Sequence, residues 1–211
     1  MNERIVVMGG SFNPPTVAHQ RLLLSAVEAL GADKGIFVPS SHTYVSIKMR
    51  RAKRPKEVLA EDVRLRMLQA MCGDDPRLAV DDCEFHRVEK GYTYESMVSI
   101  QEKYPGAELY FLAGGDKVSV ISRWHRIEEF LRDFRILVVK REEDDPKTGL
   151  RENAFLSGHR DRFRIISAVE GLDGISSSAV REKLRNGEAG AEEMLHAEVW
   201  KILQENGGMR K

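Results

Sequence analysis

Two short stretches of this sequence concentrate residues that handle anions. The first is Gly9-Gly10-Ser11-Phe12-Asn13-Pro14-Pro15-Thr16, with His19 three residues beyond. Glycines let a main chain approach a phosphate closely, and the two prolines fix φ and stiffen the turn. Thr16 stands where a hydroxyl caps a helix beginning near Val17. His19 then falls in that helix's first turn, where the positive dipole end meets a bound anion. The second stretch is Ser176-Ser177-Ser178, with Arg181 roughly one turn inside the next helix. Hydroxyls and free amides supply short donors there, and the guanidinium supplies a fork for phosphate oxygens. A rigid turn and an ordinary serine cap would account for either stretch alone. Two such stretches in one chain point to a phosphate site.

The elements that position them follow from apolar patterning. Ile5–Met8, Gly35–Val38, Leu78–Asp81, Leu109–Leu112, Arg135–Val139 and Phe163–Ile166 read as strands, several of them continuously apolar. Between them, Val17–Leu30, Asp62–Met71, Thr93–Lys103, Ile127–Leu131, Ser177–Leu184 and Ala191–Gln204 read as helices. Strand–helix alternation predicts an α/β fold: a doubly wound parallel sheet with helices on both faces and a C-terminal helical segment. In such sheets ligands bind beyond the carboxyl ends of the strands, where the Gly9–Asn13 turn is expected. The stretches at about 42–60 and 142–162 lack regular patterning and read as mobile surface loops.

Composition bounds the rest. The chain has 211 residues, enough for one substantial core and a single domain over 1–211. Thirty-three basic residues balance thirty-three acidic ones, so no global field draws it to nucleic acid or an anionic membrane. Cys72 and Cys83 make neither a disulfide framework nor a zinc set. His86, His125, His159 and His196 show no metal-ligand spacing. No leader and no 18-residue apolar run is present, so a soluble cytoplasmic protein is expected. A homo-oligomer is left open.

The motifs also carry a resemblance. "GGSFNPPTVAH" resembles the "GxFxPxHxGH" signature, and its threonine variant, of adenylyltransferases in the nucleotidyltransferase superfamily. "ISSSAVR" resembles that superfamily's "ISSTxIR". Thr16 and Ala18 stand where histidine and glycine are more usual. "GYTYESM", "LYFLAGGDKVSVISRWHRIEEFL" and the end of "ILVVKRE" are similar to segments of the nicotinate or nicotinamide mononucleotide adenylyltransferases. The likeness covers nearly the whole chain and implies a Rossmann-like sheet.

By resemblance, His19 and Arg181 are catalytic, and Gly10, Ser11, Phe12, Thr16 and Ser176–Ser178 join them around the ATP triphosphate. Gly114 and Asp116 are assigned to ATP as well, the carboxylate on a ribose hydroxyl. Asn13, Lys48, Tyr92, Thr93, Trp124 and Arg141 are assigned to the mononucleotide. Trp124 stacks on its ring, the backbone near Thr93 meets its carboxylate or carboxamide, and Lys48 or His42 neutralises phosphate. The implied reaction is Mg²⁺-dependent adenylyl transfer from ATP, with release of pyrophosphate. A cytidylyltransferase, a pantetheine-phosphate adenylyltransferase and a nucleotide-binding regulator without turnover are the rival readings.

Overall fold

A computed structural model describes residues 2–86, 91–140 and 145–208. Strands form where the chain is continuously apolar: β1 (Arg4–Gly10), β2 (Lys34–Pro39), β3 (Leu78–Val80), β4 (Glu108–Gly114), β5 (Arg135–Lys140) and β6 (Phe163–Ser167). Ile5, Val6, Ile136, Leu137 and Val138 are fully buried, as strands covered on both faces require. The six make one sheet in the order β3-β2-β1-β4-β5-β6, the order of doubly wound dinucleotide-binding sheets. Ile5 lies opposite Leu109, Phe111 opposite Ile136 and Val138 opposite Ile165, all in parallel register. The expected Rossmann-like α/β architecture is the one observed.

The longer helices are α1 (Val17–Leu30), α2 (His42–Arg51), α3 (Glu61–Cys72), α4 (Thr93–Lys103), α9 (Ser177–Asn186) and α10 (Ala197–Glu205). Shorter ones are α5 (Val118–Ile121), α6 (Ile127–Asp133), α7 (Pro146–Glu152) and α8 (Ala154–Ser157). Two compact units divide the chain. The first comprises the chain up to Met8, Leu23–Ile36 and Tyr92–Val169; the second comprises Gly9–Leu22, Phe37–Gly91 and the chain from Glu170 onward. Among the described residues, no helix is long and apolar enough to cross a membrane.

Three expectations are corrected. The 42–60 stretch is not a loop throughout, because α2 buries Val45 and Met49, one turn apart. Ser41 caps it by accepting the Tyr44 N–H, and Lys48, Arg50 and Arg51 occupy the last turn, where cations suit the dipole. Within 142–162, Asp145 caps α7 ahead of Pro146, and Asn153 caps α8. Leu150 and Leu156 are their buried anchors. Ala191–Gln204 is not one helix: a 3₁₀ turn at Glu192–Met194 ends in extended backbone at Leu195, and His196 starts α10 as its cap.

Candidate active site

β1 runs straight into the glycine-rich turn, and the second unit builds a donor cluster around it. Phe12 takes φ 42°, a left-handed conformation that is uncommon for a bulky residue. Its buried ring meets those of His19 and Phe37 edge-on, at 5.1 and 5.4 Å between centroids. A Cβ on Gly10 would lie 3.0 Å from that ring. The Phe12 ring thus leaves little room for a side chain at position 10. Asn13 precedes a cis bond to Pro14. Its carboxamide is spent on the loop after α2, donating to Glu57 O (2.6 Å) and accepting from Leu59 N (2.8 Å). Buried and bonded at both ends, Asn13 shapes the turn and does not face a mononucleotide.

Thr16 also departs from its assigned role. It is fully buried, its backbone N–H donates to His19 Nδ1 (3.0 Å), and its hydroxyl lies 2.7 Å from the same nitrogen. A backbone N–H can only donate, so Nδ1 is an acceptor and the neutral ring carries its proton on Nε2. Thr16 therefore orients the His19 donor instead of meeting phosphate itself. Burial, followed by the nearby Lys48 ammonium, lowers the His19 pKa to about 4, so the ring is neutral at pH 7. Between about pH 4 and 6.5 the unfolded chain binds a proton that the folded one refuses, so stability falls as pH falls through that window. The thermal midpoint of the wild type should drop across it more steeply than that of His19→Ala. Parallel midpoint curves would contradict the neutral ring.

α9 enters the same turn from the other side. Ser176 caps the helix by accepting the Ala179 N–H (3.1 Å), and Ser178 Oγ accepts from Arg181 (3.0 Å), so both hydroxyl protons can still serve a ligand. Ser177 has spent its proton on Pro14 O (2.7 Å), which ties the helix to the turn. Arg181 donates to Asn13 O (2.7 Å), and its Nε lies 3.4 Å from Glu57. Glu57 is also approached by Arg185 (3.0 Å) and Arg54 (3.4 Å). Three guanidinium groups around one carboxylate leave two positive charges over, a local surplus suited to an anion. Sequence reading missed Glu57, Arg54 and Arg185, because nothing local marks their convergence. On α2, Lys48 Nζ donates to Ser11 Oγ (3.2 Å), whereas the His42 N–H is held by Glu61. Of those two candidates, Lys48 is the one at the turn.

In the first unit, Gly114 closes β4 and leaves room for Asp116, whose Oδ1 would lie 2.5 Å from a Cβ at that position. The Asp116 carboxylate is half exposed and pairs with Lys117. Trp124 packs edge-on against Phe111 (5.7 Å) and Phe130 (5.9 Å) and stays partly exposed. Tyr92 precedes α4, whose first residue is Thr93; the N–H of such a residue has no acceptor within the helix. The exposed Tyr92 ring stacks on His125 at 4.1 Å, and His125 pairs with Glu95 at 3.4 Å. His125 carried no sequence signal, yet it stacks on Tyr92, while Trp124 packs with Phe111 and Phe130. Arg141 lies outside the described residues.

A sheet of this order defines a Rossmann-like α/β protein, and an oriented histidine donor and a serine–arginine helix start meet at one of its turns. The cytidylyltransferase-like family pattern matches residues 7–183, and the chain belongs to that family. Among curated relatives, a "Probable nicotinate-nucleotide adenylyltransferase" of Lachnoclostridium phytofermentans is 28% identical over 187 residues, covering 88% of this chain and 89% of that one. A protein of the same description from Enterococcus faecalis is 27% identical, covering 97% and 84%. The Plasmodium falciparum nicotinic acid mononucleotide adenylyltransferase complexed with APC superposes with a TM-score of 0.74, covering 99% and 98% of the two chains. At 17% identity, that likeness is one of fold.

Proposed function

We propose that this protein transfers the adenylyl group of ATP to nicotinate mononucleotide, forming the dinucleotide and pyrophosphate in NAD biosynthesis. The observation that carries this reading is the cradle of His19, Ser176, Ser178 and Arg181, which offers directed donors and surplus positive charge. The relatives, described as nicotinate-nucleotide adenylyltransferases, supply the acceptor and favour the acid over the amide.

Such a transfer asks for positioning and charge neutralisation rather than a protein nucleophile. The Cys72 thiol, pushed up to about 12 by burial, offers no thiolate. The 5′-phosphate oxygen of the mononucleotide, ionised at neutral pH, attacks the α-phosphorus. A new P–O bond forms, the bond to the bridging oxygen breaks, and pyrophosphate leaves with that electron pair. His19 Nε2–H donates to an α-phosphate oxygen as charge builds there. Ser176, Ser178 and Arg181 hold the β- and γ-phosphates, with Arg54 and Arg185 adding charge behind them. Arg181 exchanges Asn13 O for phosphate oxygens when ATP arrives. Among the described residues no cluster of acidic or histidine side chains would hold magnesium, so the ion would be carried by the phosphates of ATP, where it would supply charge neutralisation. Asp116 takes a ribose hydroxyl, and Trp124 stacks on the pyridine ring. Among the described residues Cys72 and Cys83 form no disulfide, which fits a reducing cytoplasm.

Pyrophosphate release measured across nucleotide and acceptor pairs tests the reading. ATP with nicotinate mononucleotide should turn over fastest; preference for CTP, or for pantetheine phosphate, would overturn it. Trp124→Ala should weaken mononucleotide binding about tenfold, the upper range for an aromatic stack, and leave ATP binding unchanged. Equal losses for both ligands in parallel titrations would return Trp124 to a packing role.

A further inference from the structure

Among the described residues Arg64 is the largest fully buried side chain. It lies on α3, where Val63, Met67 and Leu68 are buried as well. Charged groups are seldom taken so far from water unless they are paired. Here NH1 donates to Ser11 O at 3.0 Å, while Nε and NH2 have no hydrogen-bond partner among the described residues. The Phe85 ring lies 5.2 Å from the guanidinium carbon, and the Glu61 and Glu84 carboxylates are near enough to favour its charge. The one bond this guanidinium makes falls on the peptide between Ser11 and Phe12.

That peptide is where the glycine-rich turn is most unusual. Phe12 sits at φ 42°, and such a conformation persists only where its surroundings over-determine it. The Ser11–Phe12 bond is trans, so its carbonyl and N–H point in opposite directions. With Ser11 O drawn toward α3, the Phe12 N–H faces away from α3. Among the described residues that N–H has no acceptor. An unspent amide stands one residue from Asn13, whose carbonyl anchors Arg181.

We propose that Arg64 is a positioning residue for adenylyl transfer: its guanidinium grips Ser11 O from behind the turn and so presents the Phe12 N–H to a phosphate oxygen of ATP. Its charge, buried behind the loop, adds to the attraction for that anion. Arg64 acts through the peptide and touches no substrate. This inference rests on the proposed function.

The test compares Arg64→Met and Arg64→Lys with wild type. Calorimetry gives the dissociation constants of magnesium–ATP and of nicotinate mononucleotide, and turnover is followed by pyrophosphate release. Arg64→Met should bind ATP about tenfold more weakly, the size of one lost charged hydrogen bond. Its kcat should fall by at least about tenfold, and its mononucleotide affinity should stay at the wild-type value. Arg64→Lys, which keeps the charge and one donor, should recover part of both losses. A folded Arg64→Met with wild-type ATP affinity overturns the inference, and so does equal weakening of the two ligands. If Arg64→Met fails to fold, Arg64→Lys decides alone: about threefold weaker ATP with unchanged mononucleotide supports the inference, and wild-type affinity for both overturns it. Wild-type ATP binding without turnover would instead overturn the proposed reaction, with the Arg64 prediction still read from the binding constants. A wild type that binds no ATP overturns both.

Discussion

His19→Ala is expected to keep the fold and most mononucleotide affinity while kcat falls by at least about a hundredfold. The ring is held from two directions: Thr16 fixes Nδ1 as an acceptor, and the Phe12 ring meets it edge-on. This leaves Nε2–H as a donor of fixed direction, already paid for in folding. A preorganised donor aimed at developing phosphate charge is worth about 3 kcal/mol. The neutral ring does not depend on titration near pH 7, because burial holds its pKa at about 4. Its contribution is therefore directional rather than that of a fixed cation. Steady-state assays of the purified variant check this, with a thermal melt to establish that it is folded. Near-normal turnover would remove His19 from the reaction.

Arg181→Met is the second large effect, and it should act on both constants. Arg181 bridges Asn13 O and Ser178 Oγ, and its Nε lies beside Glu57. Phosphate oxygens are bound before as well as during transfer, so its loss should raise the KM for ATP and lower kcat. A combined loss in kcat/KM of at least about a hundredfold is expected, the scale of a removed transition-state donor. Glu57 would keep Arg54 and Arg185, which limits the cost in stability. Arg181→Lys should recover little, because a single ammonium cannot span the positions that a guanidinium fork joins. Unchanged ATP KM in the folded methionine variant would assign Arg181 to the scaffold alone.

The fold was largely legible because buried parallel strands are written as continuous apolar runs. All six strands fall on those runs, and α1 and α4 have the bounds their periodicity predicts. Helix α2 was hidden because only Val45 and Met49 mark its inner face among many cations. The C-terminal pattern concealed a break because helical spacing says nothing of the extended backbone at Leu195. In the candidate site, His19 and Arg181 were visible as residue types in a pattern, and the structure brings both to one turn. Thr16 and Asn13 were visible too, but their burial was not, and burial turns them from ligand donors into supports for their neighbours. Arg64 and Glu57 were invisible for a further reason. Arg64 meets Ser11 across 53 positions and Glu57 meets Arg185 across 128, and local sequence carries no trace of such pairings.

The central claim is that the α-phosphorus of ATP moves to the mononucleotide. ATP carrying radioactive phosphorus at the α position, incubated with the protein, magnesium and nicotinate mononucleotide, tests this most directly. The account predicts that the α label appears in the dinucleotide, one equivalent per pyrophosphate released, and that label at the γ position appears only in pyrophosphate. Transfer of γ label to the acceptor, or no labelled dinucleotide from a folded protein that binds both substrates, would contradict it.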